Sequence, residues 1–451
     1  MKCFEKRIHD IKKNPYLVFF FGFAAIIFIG ALLLSLPVAS LDGKSVGFIN
    51  ALFTATSATC VTGLVVVNTA AHWTIFGKIV IIVLIQIGGL GVMTLTTMIS
   101  FFLGKRISLK TRVLIMEERS ADELQGVVRL TKNMLLYTFG VELVGAVLFS
   151  FVFIKDYGLA KGIGYSLFHA ISSFCNAGFD LIGNSMINYV DNPIITLAAC
   201  GLIVIGGIGY YVFWDIYVSK RFQMLTLHSK FVLIITSILL VGGTIAMYAL
   251  EHDNPGTMGN LDISGKINAS IFQAVNPRTA GYNSVPLENL RMATVAISVV
   301  MMFIGGSPTS TAGGIKTTTI GVLVVTAYNI VKGKRDYEVF EKRIMPETAV
   351  KAAVIILISL MIVLTVSIIL SVTEEALGYD YLDILYETVS AFATVGLTRG
   401  MTPFLSNAGK VILSIVMFIG RVGPMTVAYA LLKQHKYIGN YTYPEGKIII
   451  G

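Results

Sequence analysis

Hydrophobic and polar positions divide the chain into eight long apolar runs joined by connections of very different character. The runs lie at about 16–38, 76–103, 134–154, 194–217, 231–250, 292–331, 350–372 and 409–432. A helix needs about 20 apolar residues to cross a bilayer, and each run is long enough to do so. The pattern predicts an all-α integral membrane protein with eight transmembrane helices.

A second apolar segment, too short to span a bilayer, follows the first, third, fifth and seventh runs. These segments lie at 52–58, 167–173, 271–275 and 385–391. Each leads within a few residues to a glycine and a bulky apolar residue, namely Gly63-Leu64, Gly178-Phe179, Gly281-Tyr282 and Gly396-Leu397. The unit of span, half-helix, extended turn and span therefore occurs four times.

The spacing of these glycines indicates an internal repeat. They are separated by 115, 103 and 115 residues, and a second glycine-containing marker follows each of them after 24 to 28 residues. The markers begin at Gly88, Gly206, Gly305 and Gly420. One such unit cannot enclose a pore, but four units in one polypeptide can surround a common axis with pseudo-fourfold symmetry.

The residues between each half-helix and its glycine form a candidate cation filter. Taken alone, one such run is equally typical of an external loop, and it is the fourfold repetition that favours the filter. Non-helical backbone at membrane depth is tolerated only where it is buried or lines a wet cavity. A half-helix points the negative end of its dipole towards the membrane centre, where the carbonyl groups that follow it can replace the hydration shell of a cation.

The candidate filter residues come from all four units. They are Thr59, Cys60, Val61, Thr62, Gly63, Cys175, Asn176, Ala177, Gly178, Arg278, Thr279, Ala280, Gly281, Ala393, Thr394, Val395 and Gly396. The carbonyl oxygens expected to hold the ion are those of Thr62, Ala177, Ala280 and Val395.

Basic residues concentrate in alternate connections and give the predicted orientation. The segments 1–14, 104–133, 218–230, 332–351 and 433–451 hold 24 of the 35 lysine and arginine residues. Since basic connections stay on the cytoplasmic side, both termini are predicted to be cytoplasmic. The predicted division is a cytoplasmic segment 1–15, repeats 16–103, 134–217, 231–331 and 350–432, cytoplasmic linkers 104–133, 218–230 and 332–349, and a cytoplasmic tail 433–451.

Composition agrees with a membrane protein. Only 14% of the residues are charged, against roughly 25% in an average soluble domain. The net charge of +9 falls in linkers and the tail, without the aromatic-interleaved surface that nucleic acid requires. The apolar core of 21 residues at 16–36 exceeds the ~7–15 residues of a signal peptide, so we interpret it as a retained span.

The sixth run is too long for one straight helix. Its 40 residues would extend about 60 Å, twice the ~30 Å hydrocarbon core. Its middle is rich in glycine, proline and hydroxyl residues, which predicts a break and an intramembrane loop at 305–316. The alternative, a flexible external linker, would make nine spans and place the basic segment 332–351 outside.

This loop is the candidate gate, because it would lie just inside the filter and carries a lysine that repels cations. The candidate gate residues are Gly305, Gly306, Ser307, Pro308, Thr309, Ser310, Thr311, Ala312, Gly313, Gly314, Lys316 and, from the fourth unit, Arg421.

Arg421 stands where the other three units have Gly89, Gly207 and Gly306. A charge inside a membrane needs a partner and is a functional candidate. Two partners are open: Glu142, which lies well inside the third run, and the carbonyl and hydroxyl groups of 305–314. The alternative role is a purely structural tie between repeats.

Four other polar residues lie in or beside the half-helices. His169, Gln273 and Glu387 are expected to hydrogen-bond to the filter backbone or to neighbouring loops. Arg278, beside the third filter segment, is expected to brace its loop or to pair with Glu387.

Three of the filter segments carry a family resemblance. They are Thr-Cys-Val-Thr-Gly-Leu at 59–64, Pro-Arg-Thr-Ala-Gly-Tyr at 277–282 and Phe-Ala-Thr-Val-Gly-Leu at 392–397. With four span-loop-span units, the chain resembles the Ktr/Trk/HKT superfamily of potassium transporters, most of all the membrane subunit of bacterial Ktr systems. Two features depart from the pattern: Cys60 and Cys175 replace the expected threonine or asparagine, and the third loop is one residue shorter than the first.

The resemblance implies potassium selectivity through the four glycines and a gating role for the 305–316 loop. It also implies a homodimer in the bacterial plasma membrane, seated on a cytosolic ring of KtrA- or KtrC-like regulatory subunits that bind ATP and ADP, with sodium as an activator. The chain itself is expected to bind no cofactor.

No enzyme signature is present: the chain has neither a phosphate-binding Gly-x-x-x-x-Gly-Lys-Ser/Thr loop nor a His-Glu-x-x-His pair. We therefore expect potassium to move down its electrochemical gradient through the four-glycine filter. One alternative is a sodium-coupled potassium symporter, in which the broken span takes part in alternating access. Another is a non-conducting membrane anchor for a soluble complex.

Overall fold

The computed structural model describes residues 15–91, 127–334 and 336–431. Helices dominate these ranges, and the strands described are one short antiparallel pair. The predicted segment 1–15 apart from Pro15, the end of the second run at 92–103, most of the linker 104–133 and the tail 433–451 lie outside the described residues.

The helices are labelled here in chain order. They are α1 Pro15–Leu34, α2 Phe48–Thr59, α3 Thr69–His72, α4 Ile75–Leu90, α5 Val127–Tyr157, α6 Leu159–Phe174, α7 Pro193–Ile208, α8 Tyr210–Ser219, α9 Leu227–Glu251, α10 Ile263–Val275, α11 Met292–Phe303, α12 Thr317–Val331, α13 Pro346–Thr373, α14 Tyr381–Phe392, α15 Asn407–Val422 and α16 Pro424–Leu431. Single 3-10 turns occupy Pro37–Ala39, Ile187–Tyr189, Phe222–Met224, Leu287–Asn289, Glu375–Leu377 and Thr402–Phe404.

Three described helices are long and apolar enough to cross a membrane by themselves: α9, α13 and the Thr131–Tyr157 part of α5. The pair α7 and α8, bent by 91°, makes a fourth if it is taken as one span. Shorter apolar helices occur at Phe20–Leu34, Ile75–Leu90, Met292–Phe303 and Thr317–Val331. By helix length, the described residues therefore give up to four spans rather than the predicted eight.

Glycines at positive φ explain why several predicted spans are short. Gly91 (φ 87°), Gly209 (φ 89°) and Gly423 (φ 95°) each follow the last residue of a helix. Glycine adopts this conformation without the clash of a Cβ, and the helix ends there. The run at 194–217, which we predicted to be one continuous span, is therefore bent at Gly209.

The four half-helices are α2, α6, α10 and α14, and they contain the short apolar segments seen in the sequence. They end at Thr59, Phe174, Val275 and Phe392, immediately before or within the candidate filter segments. Their last two turns are buried, including their serine and threonine side chains. The half-helices therefore lie at the centre of the molecule.

The sixth run is interrupted between α11 and α12, from Ile304 to Lys316. Ile304 and Ile315 form an isolated parallel bridge, and the backbone N–H of Gly305 donates to the Ile315 carbonyl at 2.9 Å. This pairing closes the interruption into a loop, which we call the inner loop (304–316).

The predicted linker 332–349 contains a small hairpin that the sequence did not predict. Strands β1 Tyr337–Val339 and β2 Lys342–Ile344 pair antiparallel, with Tyr337 opposite Ile344. The side chain of Asn329 in α12 donates to the Glu338 carbonyl at 3.1 Å, which fixes the hairpin against the helix that follows the inner loop.

Candidate ion pathway

The residues that follow the four half-helices come together as a ring. We call 59–63, 174–178, 277–281 and 392–396 strips 1 to 4. A Cβ built on each strip's glycine would press against a carbonyl oxygen of the next strip. These contacts are Gly63 with Ala177 at 2.5 Å, Gly178 with Ala280 at 2.8 Å, Gly281 with Val395 at 2.7 Å, and Gly396 with Thr62. Because the last contact returns to strip 1, the ring is closed.

The ring brings together the residues on which the sequence prediction depended. All four glycines have positive φ, at 97°, 69°, 78° and 89° in chain order. The four facing carbonyl groups belong to Thr62, Ala177, Ala280 and Val395, which are the predicted ion ligands. At these positions a residue with a Cβ would be strained by the positive φ and would also collide with the neighbouring strip, so glycine is required for two separate reasons.

Two residues before each glycine, the backbone is also left-handed. The residues are Val61 (φ 58°), Asn176 (φ 61°), Thr279 (φ 70°) and Thr394 (φ 53°). Asparagine tolerates this region, but for β-branched valine and threonine it is a genuine outlier. Such strain persists only where the surrounding structure enforces it, and it clusters at functional sites. The sequence does not predict this feature, because a positive φ at a β-branched residue leaves no signal in the amino-acid composition.

The strips are held from behind by their own half-helices. In strip 1, the N–H groups of Thr62 and Gly63 donate to the carbonyl and hydroxyl oxygens of Ser57, at 2.8 and 3.0 Å. In strip 4, Val395 and Gly396 do the same to Ser390, at 2.8 and 3.1 Å. With the N–H groups directed backwards, the carbonyl groups are free to face the ring.

Strips 2 and 3 follow the same plan with variations. The N–H of Ala177 donates to the Ser172 carbonyl at 2.7 Å, and that of Ala280 to the Asn276 carbonyl at 3.0 Å. Ser57, Ser172 and Ser390 each precede their glycine by six residues. This shared spacing is the sequence signal that could have identified them.

Three of the four second glycine markers lie against the ends of the half-helices, whereas Gly305 faces the Gly313 carbonyl of the inner loop. A Cβ on Gly88, Gly206 or Gly420 would collide with the carbonyl oxygen of Thr59, Phe174 or Phe392, respectively. The helices that carry these glycines, α4, α7 and α15, therefore pass the last carbonyl of a half-helix at a distance that only glycine permits. The repeated marker in the sequence has a packing cause.

The inner loop lies directly against strips 2 and 4. The hydroxyl of Thr311 donates to the Phe174 carbonyl at 3.2 Å, which belongs to strip 2. A Cβ on Gly313 would collide with the side chain of Thr394, and one on Gly314 would lie 3.1 Å from Ala393, both in strip 4. The loop thus lies beside two opposite strips, and its predicted role as a gate remains a prediction.

Bonds to α7 hold the other side of the inner loop. The N–H groups of Ser307 and Thr311 donate to the Gly207 and Gly206 carbonyls, at 3.0 and 3.3 Å. The ammonium of Lys316 donates to the Ala312 carbonyl at 2.7 Å, so its charge is engaged within the loop itself.

Arg421 ties the inner loop to the first unit. Its guanidinium donates to the Thr311 carbonyl of the loop and to the Gly88 carbonyl at the end of α4. Of the two partners left open by the sequence, the loop carbonyl is found. Glu142 instead accepts a bond from the Gln86 amide at 3.0 Å and lies 3.9 Å from the Cys175 sulfur of strip 2.

The polar residues of the half-helices bond to neighbouring loops. His169 Nε2 accepts from the N–H of Leu181 at 3.3 Å, and the Gln273 amide donates to Ser284 at 3.4 Å. One carboxylate oxygen of Glu387 accepts from the Thr402 hydroxyl.

Of the two alternatives for Arg278, the ion pair with Glu387 is not found among the described residues. The Glu387 carboxylate is turned towards Thr402 on its own loop, and the Arg278 Nε has no hydrogen-bond partner among the described residues. Arg278 is nonetheless only 5% exposed, three residues before the strip 3 glycine. It lies at the position occupied by Cys60, Cys175 and Ala393 in the other strips.

Comparisons with a family model and with individual proteins both match the chain to cation transport proteins. Residues 13–439 match the TrkH family model, described as a cation transport protein. The chain is 42% identical over 447 residues to the Ktr system potassium uptake protein B of Bacillus subtilis, covering 99% of both chains. It is 40% identical over 455 residues to the potassium/sodium uptake protein NtpJ of Enterococcus hirae, covering 100% of both.

A solved structure has the same fold. The crystal structure of the potassium transporter TrkH from Vibrio parahaemolyticus matches with a TM-score of 0.73, at 17% identity, over 93% of this chain and 85% of that one. This likeness concerns the fold alone, whereas the family follows from the sequence matches. The chain is a member of the TrkH family of membrane cation transport proteins.

Proposed function

We propose that the chain provides a potassium-selective uptake pathway across the bacterial plasma membrane, with strips 1 to 4 as its filter and the inner loop as its gate. The observation that carries the proposal is the closed ring, in which four glycines face four carbonyl groups. Supporting it, the relatives at 40–42% identity are named for potassium uptake.

The ring suits the chemistry of a weakly hydrated cation. Carbonyl oxygens replace the ion's hydration shell without binding it so tightly that it cannot leave. Each half-helix adds the negative end of its dipole just behind a strip. Four such ends around one axis stabilise a cation at the point where it has lost most of its water.

The full architecture belongs to this proposal as well. Four span-loop-span repeats would surround the axis, with eight spans and both termini in the cytoplasm. In this arrangement the repeats are 16–103, 134–217, 231–331 and 350–432, and the half-helices enter from the outside. The hairpin after α12 then lies on the cytoplasmic side, beside the helix that continues from the gate.

Gating by the inner loop has a direct test. Deletion of Gly306–Gly314 removes the contacts with strips 2 and 4, and we expect it to raise basal rubidium flux through purified protein in liposomes. Unchanged or abolished flux in a variant that remains folded and monodisperse would contradict a gating role.

Control of the gate would come from a partner. The relatives belong to a Ktr system by name, which supports an additional regulatory subunit. We extend this to a homodimer on a cytosolic ring of KtrA- or KtrC-like subunits that bind ATP and ADP. Sodium as an activator is supported by the potassium/sodium name of the Enterococcus relative.

Uptake of rubidium, potassium and sodium by the purified protein in liposomes tests the function. We expect rubidium and potassium to enter in strong preference to sodium, and Gly63→Ser to reduce that preference. Gly378→Ser is the matched control, because Gly378 also has positive φ (69°) but no atom within 4 Å of a built Cβ. Absence of cation flux, with replaceable strip glycines, would favour the membrane anchor instead.

The same vesicles separate a channel from the symporter alternative. A channel moves potassium without a fixed accompaniment of sodium, whereas a symporter moves the two ions in constant stoichiometry. Sodium entry that rises in proportion to potassium entry would therefore overturn the channel mechanism.

A further inference from the structure

Hydrogen bonds join each of the segments that follow the four strips to the next one in chain order. We call 64–68, 179–186, 282–288 and 397–402 the outer collar. Between its first two segments, the Asn68 amide donates to the Gly183 carbonyl at 2.9 Å. Between the second and third, the N–H of Asn283 donates to the Ser185 hydroxyl at 2.9 Å. Both of these links are made by neutral groups.

The link between the third and fourth segments is charged. The Arg399 guanidinium pairs through Nη1 with the Asp383 carboxylate of α14. Its Nε donates to the Leu287 carbonyl at 3.2 Å, and its Nη2 to the Glu288 carbonyl at 3.0 Å. One side chain thus joins the half-helix behind strip 4 to the segment that leaves strip 3.

Burial and charge make this link stronger than the neutral ones. The Arg399 and Asp383 side chains are only 18% and 17% exposed, so water and salt screen the pair incompletely. Charge-assisted hydrogen bonds are about twice as strong as neutral ones. Because Asp383 balances the guanidinium, the link adds no net positive charge beside the ring.

The link lies where it can control the spacing of the ring. Arg399 follows the strip 4 glycine by three residues, and Leu287 follows the strip 3 glycine by six. Strips 3 and 4 meet through Gly281 and the Val395 carbonyl, where a built Cβ would lie 2.7 Å from the oxygen. A change in the distance between the two collar segments would change this contact.

We propose that Arg399 is a positioning residue for ion selectivity, which fixes the separation of strips 3 and 4 from the outer side of the ring. The inference rests on the proposed function, in which the ring selects potassium. The planar guanidinium is needed because it reaches a carboxylate and two carbonyl groups at once, whereas a lysine ammonium acts as a single point charge.

The test compares Arg399→Gln, Arg399→Lys and Asp383→Asn with the unaltered chain in liposomes. The readouts are the ratio of rubidium to sodium uptake and, separately, the thermal unfolding temperature in detergent. Arg291→Gln is the matched control, since Arg291 also pairs with an aspartate (Asp253, at 3.1 Å) but is 45% exposed and lies outside the collar.

Arg399→Gln removes the ion pair with Asp383 and the guanidinium bonds to two carbonyl groups. It should lower the rubidium-to-sodium ratio by about tenfold or more, since a single bond to a charged group already accounts for a change of that size. Arg399→Lys keeps the ion pair but not the two carbonyl bonds, so its rubidium-to-sodium ratio should lie between that of the unaltered chain and that of Arg399→Gln. Asp383→Asn should lower the ratio less than Arg399→Gln, and Arg291→Gln should leave it unchanged.

Each other outcome counts against the proposal. An unchanged ratio with a lowered unfolding temperature would make Arg399 a structural residue only, and full rescue by lysine would show that charge rather than geometry matters. If Arg399→Gln does not fold, Arg399→Lys and Asp383→Asn decide by the same ratio. A wild-type protein without selective rubidium uptake would overturn the proposed function itself, which this series distinguishes from failure of the collar.

Discussion

The strips and the inner loop are both irregular backbone enclosed by helices, but they are held in opposite ways. In strips 1 and 4, the backbone N–H groups bond to a serine of the half-helix directly before them. The inner loop has bonds within itself, but its attachment to the rest of the molecule runs through elements far away in sequence, namely Gly206 and Gly207, Phe174 and Arg421. Local bonds survive a shift of neighbouring helices, whereas the loop's bonds depend on those neighbours.

This difference agrees with the roles proposed for the two regions. The strips have a strained backbone that is fixed four times over, as a filter of constant size requires. The loop has several small residues and is attached by bonds to α7 and α15, so a shift of either helix would change its position, as the proposed gate requires. Mutations that break the first kind of bond should change which ion passes, and those that break the second should change how much passes.

The largest effect on ion selectivity is expected when a methyl group is added to one of the four glycines of the ring. Gly396→Ala places a methyl group against the Thr62 carbonyl and 2.9 Å from the Cα of Gly63. At least ~1–3 kcal/mol of strain should fall on the ring, so the rubidium-to-sodium uptake ratio should drop about tenfold or more. Gly378→Ala has similar backbone strain in open space and should leave the ratio unchanged; equal effects of the two alanines would contradict the ring.

A second effect should appear in stability. On α7, Gly206→Ala collides with the Phe174 carbonyl at the end of a half-helix, and overpacking of this kind costs about 1–3 kcal/mol. Gly201→Ala, on the same helix with nothing within 4 Å, should be neutral or slightly stabilising. Thermal unfolding in detergent compares the two. Similar unfolding temperatures would mean that the helix does not pass the strip as closely as described.

Arg421→Gln tests the bonds that attach the inner loop to other parts of the chain. The variant loses the charged links to Thr311 and Gly88, so the inner loop should leave its position more often. We expect basal rubidium flux to rise several-fold with little change in the rubidium-to-sodium ratio. Lys410→Gln, in the first turn of the same helix, is the control. A changed ratio at constant flux would move Arg421 from the gate to the filter.

The smallest effect is expected when a strip loses one side-chain bond. Ser57→Ala leaves the buried N–H of Gly63 without its partner, at a cost of about 1–3 kcal/mol, while the bond to the Ser57 carbonyl remains. The uptake ratio should fall less than in Gly396→Ala. Ser35→Ala removes a hydroxyl bond at an exposed helix end and is the control. A fall in the ratio for Ser35→Ala as well would show that the effect is not specific to the strip.

Much of the candidate site could be predicted because it is repeated. Gly63, Gly178, Gly281 and Gly396 recur at nearly equal spacing, and a feature that recurs four times in one chain rarely arises by chance. The interruption at 304–316 was also predictable, since proline and four glycines cannot continue an apolar helix of that length.

Features that depend on neighbours could not be predicted. The 91° bend at Gly209 is one of them, since the Gly-Gly-x-Gly pattern predicts a helix end but gives no angle between the two helices. The positive φ of Thr279 and Thr394 requires knowing which groups face the ring. Arg278 and Glu387 seemed a natural ion pair by charge alone, but the carboxylate faces Thr402 instead.

Anomalous X-ray diffraction from crystals grown in rubidium tests the central claim most directly. We predict a rubidium peak inside the ring, surrounded by the carbonyl oxygens of Thr62, Ala177, Ala280 and Val395, and loss of that peak in Gly396→Ala. Rubidium bound elsewhere in a well-ordered protein, with no peak at the ring, would contradict the filter.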